Sequence, residues 1–494
     1  MTTFAERCGA ADAARAGACE AALALVEQRG LERVRIGWCD THGVLRGKTL
    51  MASALEGALR DGVTMVSTIL LKDTSDRTAY RVFDDEDAHA VPGFRYANNL
   101  MLLPDPHSIR ELTWAAGTGW MRAEAWFDDG TPVPQDTRRI LRAALERLAH
   151  AGYGLVCGLE VEFHIYRIVD EANDPSLDPH RAAWPGEAPT VAMVHPGYNL
   201  LAENWADLAD EPLAIVQQTA QELGLPLRSL EVELGPSQVE AVFDATDALT
   251  AADHMVLFRN GVRQALRRAG YHASFVCRPP FPSAMASGWH LHHSLVERAS
   301  GRPAFVRDSP LANAPAGDAR ATLSDLGAHW LAGLLAHGRG MAALCAPTVN
   351  AFARFRPNAM APQSVTWGRD NRGAMLRVLG ACGDAGTRIE NRIGEPMANP
   401  YLYIAAQVHA GLDGLERQLD PGPEAGAPYA ASGANLPASL GEGLDALAAD
   451  EALVRGFSPA VVDWYLRVKR SEVERHDAAE DREAWQAREY FGRF

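Results

Sequence analysis

The chain has 494 residues, with 63 Asp and Glu against 47 Lys and Arg and a net charge of −16. This length allows two or three domains with an ample core, and the acid excess, unopposed by any Lys/Arg run, argues against a nucleic-acid-binding surface. No leader pattern or membrane-length apolar run is read, and seven scattered cysteines without a CxxC pair suit free thiols in a reducing cytoplasm.

In chain order, Ala11 to Arg29 has helical composition and stops at Gly30, a residue suited to ending a helix. Arg33 to Lys48 alternates and turns at Asp40-Thr41-His42-Gly43, which predicts a hairpin. Residues 84 to 127 mix turns with short apolar runs such as Met101 to Pro104, a small mixed or mostly β unit. Asp128 to Pro132 is turn chemistry, and an amphipathic helix is expected from Asp136 toward His150. The boundary is placed there, giving an amino-terminal unit of 1–133 and a larger one of 134–494. In the larger unit helices are expected at about 208–223, 248–269, 322–341 and 399–417, and a loop over Pro421 to Pro437 precedes a helical tail. The apolar stretch from His329 to Ala346, interrupted by His337 and Arg339, reads as a core helix.

Four further stretches carry the chemistry. In Gly158 to Tyr166, strand alternation puts Glu160, Glu162 and His164 on one face and Leu159, Val161, Phe163 and Ile165 on the other. Ser229 to Phe243 reads as two strands around Gly235-Pro236-Ser237, again with acids alternating against apolar residues. Trp289 to Leu295 presents His290, His292 and Ser294 on one face, and Thr387 to Ile393 presents Arg388, Glu390 and Arg392. One such strand could be a solvent-facing edge; four side by side would line a cavity rich in Glu, His and Arg. Clustered carboxylates repel unless a cation joins them, and carboxylates with one imidazole suit Mg²⁺ or Mn²⁺, while arginines clamp anionic oxygens. His164 and His293 are read as structural histidines, and Glu231 as a surface acid.

These stretches resemble the glutamine synthetase family across almost the whole chain: Asp40 to Lys48, Asp129-Gly130, Gly158 to Phe163, Glu233 to Glu240, Gly288 to His292, Asn350 to Pro362, Asn371 to Arg377, Arg388 to Arg392 and Asn399-Pro400-Tyr401. The resemblance implies an α+β fold, with a small β-grasp amino-terminal domain and a catalytic domain whose curved antiparallel sheet forms a funnel. It also implies stacked rings of subunits, with a dodecamer expected, in which a neighbour's small domain completes each site. By the same resemblance Glu162, Glu233 and Glu240 would hold one metal and Glu160, His290 and Glu390 another, two or three Mg²⁺ or Mn²⁺ ions per site. Arg354 and Arg392, with Glu162, Ala286 and His290, would bind L-glutamate. ATP would be faced by His292, Ser294, Arg372, Arg377 and Arg388, and Arg354, Arg372 and Arg392 would act on the reacting groups. The activity implied is an ATP-dependent ligase joining the γ-carboxylate of glutamate to an amine through γ-glutamyl phosphate.

Departures from the family pattern fall at the amine position. Ammonia-using members carry a glutamate where this chain has Met360 and an Asp-Gly-Ser-Ser element where it has Thr64-Met65-Val66-Ser67. An ammonium ion, charged at neutral pH, needs a negative partner and a base, whereas an arylamine needs neither. Met65, Trp289 and Met360 are therefore expected to line a pocket for an apolar, aniline-like primary amine. The alternatives are a ligase for a polyamine, ethanolamine or alkylamine, an ammonia-using synthetase, or a non-catalytic relative.

Overall fold

The computed structural model describes the chain except Met1 and residues 170–176, 310, 313–314, 357–359 and 431–432. Residues 357–359 belong to the Asn350–Pro362 segment and 431–432 to the Pro421–Pro437 loop, so those parts of the two expectations lie outside the described residues.

The expected hairpin is present as β1 (Arg33–Cys39) and β2 (Leu45–Met51), paired antiparallel. With β3 (Val63–Val66), β4 (Asn99–Pro104), β5 (Arg110–Glu111) and β6 (Thr118–Trp126) they form a sheet ordered β2-β1-β6-β4-β3, with β5 against β6 and β1 parallel to β6. The expected helix begins one residue after Asp136, whose carboxylate caps it by accepting from the backbone N–H groups of Arg138 and Arg139. That carboxylate also accepts from the Trp38 indole at 3.1 Å and the Ala125 N–H at 2.8 Å, which ties the small sheet to the start of this helix.

The second sheet is built on β7 (Tyr153–Ile168), a strand of 16 residues. Around it run β8 (Val191–Met193), β9 (Leu227–Val232), β10 (Gln238–Phe243), β11 (Thr246–Asp247), β12 (Tyr271–Ser274), β13 (Trp289–Glu297), β14 (Trp367–Arg369), β15 (Leu376–Leu379) and β16 (Arg388–Asn391). The order is β14-β15-β16-β13-β7-β10-β9, with β8, β11 and β12 also on β7. One pair departs from the expected antiparallel sheet, since β14 and β15 run parallel at the edge. The four polar-faced stretches of the sequence thus lie side by side.

Apolar faces fix this arrangement. Leu159, Val161, Phe163 and Ile165 are all buried, and Phe163 stacks on Phe275 at 4.8 Å and meets the edge of Phe258 at 5.8 Å. Each large side chain removed from water contributes roughly 1.5–3 kcal/mol. The Pro400–Glu416 helix is buried along nearly its whole length and crosses the Asp325–Ala336 helix at close range. A side chain at Gly333 would sit 2.2 Å from the Ala410 carbonyl, so only glycine permits the crossing.

The apolar run from His329 onward is two helices, Asp325–Ala336 and Gly338–Cys345, that meet at His337. The buried imidazole lies between two carboxylates, with Nε2 2.9 Å from Asp413 and Nδ1 2.8 Å from Asp450. Burial works against its charged form, but the two carboxylates prevail and raise its pKa above the usual 6.5. The contribution is therefore full below pH 6.5 and fades as the pH rises through the raised value. His337→Leu is expected to cost about 2–4 kcal/mol by removing the partner that Asp450 and Asp413 share, leaving Asp413 with Arg417. It should also remove that fade, as read by denaturant unfolding at about pH 6 and pH 9; an unchanged midpoint at both would show that the bridge contributes nothing.

Candidate active site

Register, more than sequence proximity, assembles the site. In the β7–β13 pair Glu160 lies opposite His290, and in the β7–β10 pair Glu162 lies opposite Glu240. The β13–β16 pair sets His292 opposite Glu390, and β15–β16 sets Arg377 opposite the same Glu390. Directly opposed side chains on one face have Cβ atoms about 4.5–5.5 Å apart, so five strands converge on one patch.

His290 is at the centre. Its Nδ1 is 3.6 Å from Glu160 and 3.7 Å from Glu390, and its Nε2 is 3.8 Å from Glu162. Burial and the nearby Arg392 push its pKa down to about 4, so the ring is uncharged at neutral pH, the form that ligates metal. Two sets of side chains bring ligand atoms within 4.8 Å of one another: Glu160, Glu240 and His290, and Glu160, His292 and Glu390. The expected division groups Glu162, Glu233 and Glu240 against Glu160, His290 and Glu390. In the structure Glu160 stands in both close sets, and Glu162 and Glu233 stand outside them.

The charges explain why a cation suits this patch. Burial and the Glu233 charge push Glu162 up to about 7; burial and Glu162 push Glu240 higher still. Glu233 is also raised, mainly by burial. By contrast Glu160 and Glu390, although burial opposes it, are held below the usual range by their histidine and arginine neighbours. Crowded carboxylates that would otherwise hold protons, beside a neutral imidazole, fit Mg²⁺ or Mn²⁺.

His292 plays another part. Arg388 Nε donates to its Nδ1 at 3.0 Å, and its buried Nε2, 3.0 Å from Glu160, makes no hydrogen bond among the described residues. The expectation places His292 with the nucleotide, whereas the structure sets it in the second close set with Glu160 and Glu390.

The arginines close the rim. Arg392 pairs with Glu390, donates from Nε to the Arg372 carbonyl at 3.1 Å and from Nη2 to the Met360 carbonyl at 3.2 Å. Arg354 donates to the carbonyls of Arg392 at 2.9 Å and Gly394 at 3.2 Å, and its Nη2 is 3.4 Å from His290. A side chain at Gly288 would lie 2.5 Å from that guanidinium, so glycine is what lets Arg354 reach the site. Arg377 binds Glu390 at 3.1 Å and also pairs with Asp370. Arg372 is exposed, and Ser294 is half-buried on the His292 face of β13.

Sequence reasoning missed Gln238, yet this residue holds the patch together. Its side-chain N–H group donates to Glu162 at 3.1 Å, to Ser287 at 3.1 Å and to the Ala286 carbonyl at 3.3 Å, while its oxygen accepts from the Gly235 N–H at 2.9 Å. The Gly288 N–H donates to the same Glu162 oxygen at 2.9 Å. The available signal is the spacing, since Gln238 and Glu240 alternate onto one face of β10.

Two expected pocket residues are elsewhere. Trp289 points to the opposite face of β13 from His290; its ring is fully buried, 4.9 Å from Tyr403 in an edge contact. Strand alternation requires this, because adjacent residues cannot share a face. Met65 is buried in the core under the small sheet, leaving Thr64 and Val66 outward. Met360 is 62% exposed at the rim, held by its carbonyl.

Residues 134–490 match the model of the glutamine synthetase catalytic domain, and the chain belongs to the glutamine synthetase family. Among its relatives, the γ-glutamylanilide synthase of an Acinetobacter species is 38% identical, over 96% of this chain and 95% of that one. The γ-glutamylethanolamide synthetase GlnA4 of Streptomyces coelicolor is 30% identical over 95% of each chain, and the glutamate–isopropylamine ligase of a Pseudomonas species 30% over 92% and 94%. The solved structure of GmaS without ligand superposes with a TM-score of 0.74 at 28% identity, covering 94% of this chain and 98% of that one.

Their raised pKa values mean that Glu162 and Glu240 hold protons in the cation-free folded chain that they would lose in the unfolded chain between about pH 4.5 and 7 and beyond. The contribution of these two groups to stability therefore falls as pH rises across that window. Thermal unfolding should show the gain from added Mg²⁺ or Mn²⁺ growing from about pH 5.5 to pH 8, with protons released on binding. A gain that shrinks with pH would contradict the cation assignment.

Proposed function

We propose that this glutamine synthetase family member is an ATP-dependent ligase that joins the γ-carboxylate of L-glutamate to a neutral, apolar primary amine of the aniline class, through γ-glutamyl phosphate. The observation that carries the choice of amine is Met360, an exposed apolar side chain at the rim where ammonia-using relatives carry a carboxylate. An arylamine is neutral at about pH 7 and needs no charged partner to bind, nor a strong base to become nucleophilic. The likeness to a γ-glutamylanilide synthase over nearly the whole of both chains supports the same reading.

In this reading Glu160, Glu162, Glu233, Glu240, His290 and Glu390 hold divalent cations, Mg²⁺ or Mn²⁺. When bound, these neutralise charge as a phosphoryl group passes from ATP to a carboxylate. Arg354 and Arg392 hold the glutamate carboxylates, and Arg372 lies where the transferred group passes. Arg377, Arg388, His292 and Ser294 face the nucleotide. Gln238 and the Gly288 N–H fix the rotamer of Glu162, so that its second oxygen is free to bind. We further assign residues 1–133 and 134–494 to separate domains and the enzyme to cytoplasmic stacked rings, in which a neighbour's small domain closes the site.

Purified enzyme with ATP, Mg²⁺ or Mn²⁺ and glutamate is expected to form γ-glutamyl product and ADP with aniline in preference to ammonia, ethanolamine, isopropylamine or putrescine. Product from ammonia alone would overturn the reading of Met360, and preference for ethanolamine or putrescine would replace the aniline class by charged amines. Met360→Glu should shift the ratio of kcat/KM values toward charged amines by about tenfold. Glu162→Ala and Glu390→Ala should each lower turnover by about a hundredfold or more while the far-UV circular dichroism stays unchanged.

A further inference from the structure

The Ala248–Arg268 helix packs its apolar side against β7, where Phe258 meets Phe163 on the face opposite Glu160 and Glu162. Its outer side lines a groove of about 690 Å³, bordered by Tyr271 and Ala273 of β12 and by Gly492 near the carboxyl end. The sheet therefore separates this groove from the acid patch.

Along the groove the helix presents Asn260, Arg263, Gln264, Arg267 and Arg268, a stripe at three- and four-residue spacing. Arg267 and Arg268 are in the last turn, where basic residues offset the helix dipole. Arg263 lies more than a turn earlier and has no such reason. Among the described residues it makes no hydrogen bond or ion pair, and its charged neighbours are Arg259 and Arg493; burial and these two lower its pKa to about 10. Arg259 is otherwise engaged, donating to the carbonyls of Gly43, Pro396 and Ala398. Gln264 accepts from Arg35 at 2.8 Å and from Trp114 at 3.2 Å through its oxygen, which turns its amide N–H group to the other side.

A half-buried guanidinium surrounded by its own kind is costly unless an anion completes it. In a chain of net charge −16, a cluster of this sign is not a by-product of composition. We infer that this groove binds a small anion of two or more negative charges, carried on phosphate or carboxylate groups. Planar guanidinium groups match either group through paired hydrogen bonds, and the volume of the groove leaves room for a molecule rather than a single ion.

Isothermal titration of the intact enzyme with pyrophosphate, and separately with citrate, tests the site. Binding of either anion should weaken about tenfold or more in Arg263→Ala and in the more exposed Arg268→Ala, and persist in Arg377→Ala, which alters the acid-patch rim instead. Pyrophosphate alone would identify a phosphate ligand, and citrate alone a polycarboxylate. Three results would overturn the inference: no binding of either anion by the unaltered enzyme, equal binding by the Arg263 and Arg268 variants, or binding lost only in Arg377→Ala. A change of assembly mass in Arg263→Ala with no anion bound to the parent would likewise overturn it, pointing to a contact between copies. None of these outcomes bears on the ligase reading.

Discussion

The repulsion among Glu160, Glu162, Glu233, Glu240 and Glu390 is the constraint to which the rest of this structure answers. Strand pairing sets these acids on one face of adjoining strands, where burial and proximity make simultaneous ionisation costly. The fold answers in two ways. Around Glu390 it supplies Arg377 and Arg392, which compensate the charge within the protein. Around Glu162 and Glu240 it supplies no such pair among the described residues, and the cost is left for a cation to relieve.

This asymmetry gives the patch a direction. Arginines gather on the β15–β16 side, and uncompensated acids on the β7–β10 side. On the proposed function, an anion entering along the arginine rim would meet any cations held by the acids, and charge neutralisation for phosphoryl transfer would come from both sides at once. His290 lies between the two halves and stays neutral because positive neighbours and burial outweigh the acids beside it. Rigidity comes from the opposite face of the sheet, where Phe163, Phe258 and Phe275 lock the strand that carries both Glu160 and Glu162.

Much of the site was legible because strands report their faces directly. Alternation over Gly158 to Tyr166 and over Trp289 to Leu295 named the acids and histidines that converge, and the turn at Gly235-Pro236-Ser237 joins β9 to β10 as read. The same rule, applied one residue further, would have removed Trp289 from the pocket, since it cannot share a face with His290. Met65 failed for a related reason: a motif position identifies a segment, but the pleat decides which of its side chains is outward. The break at His337 needed two distant carboxylates, Asp413 and Asp450, that no local pattern announces.

By itself the sequence determined which residues could carry charge to a common surface, because a period of two is a local property of the backbone. It also carried the family's spacing and the missing carboxylate at Met360. Only the tertiary structure decided which acid opposes which, that Glu160 is shared by both close sets, that Arg388 donates to His292, and that Arg263 faces a groove alongside other arginines. Those outcomes depend on register and on hydrogen bonds between segments far apart in the chain, such as Gln238 to Glu162 and Arg388 to His292. Such pairings exist only once apolar packing has fixed the strands against one another.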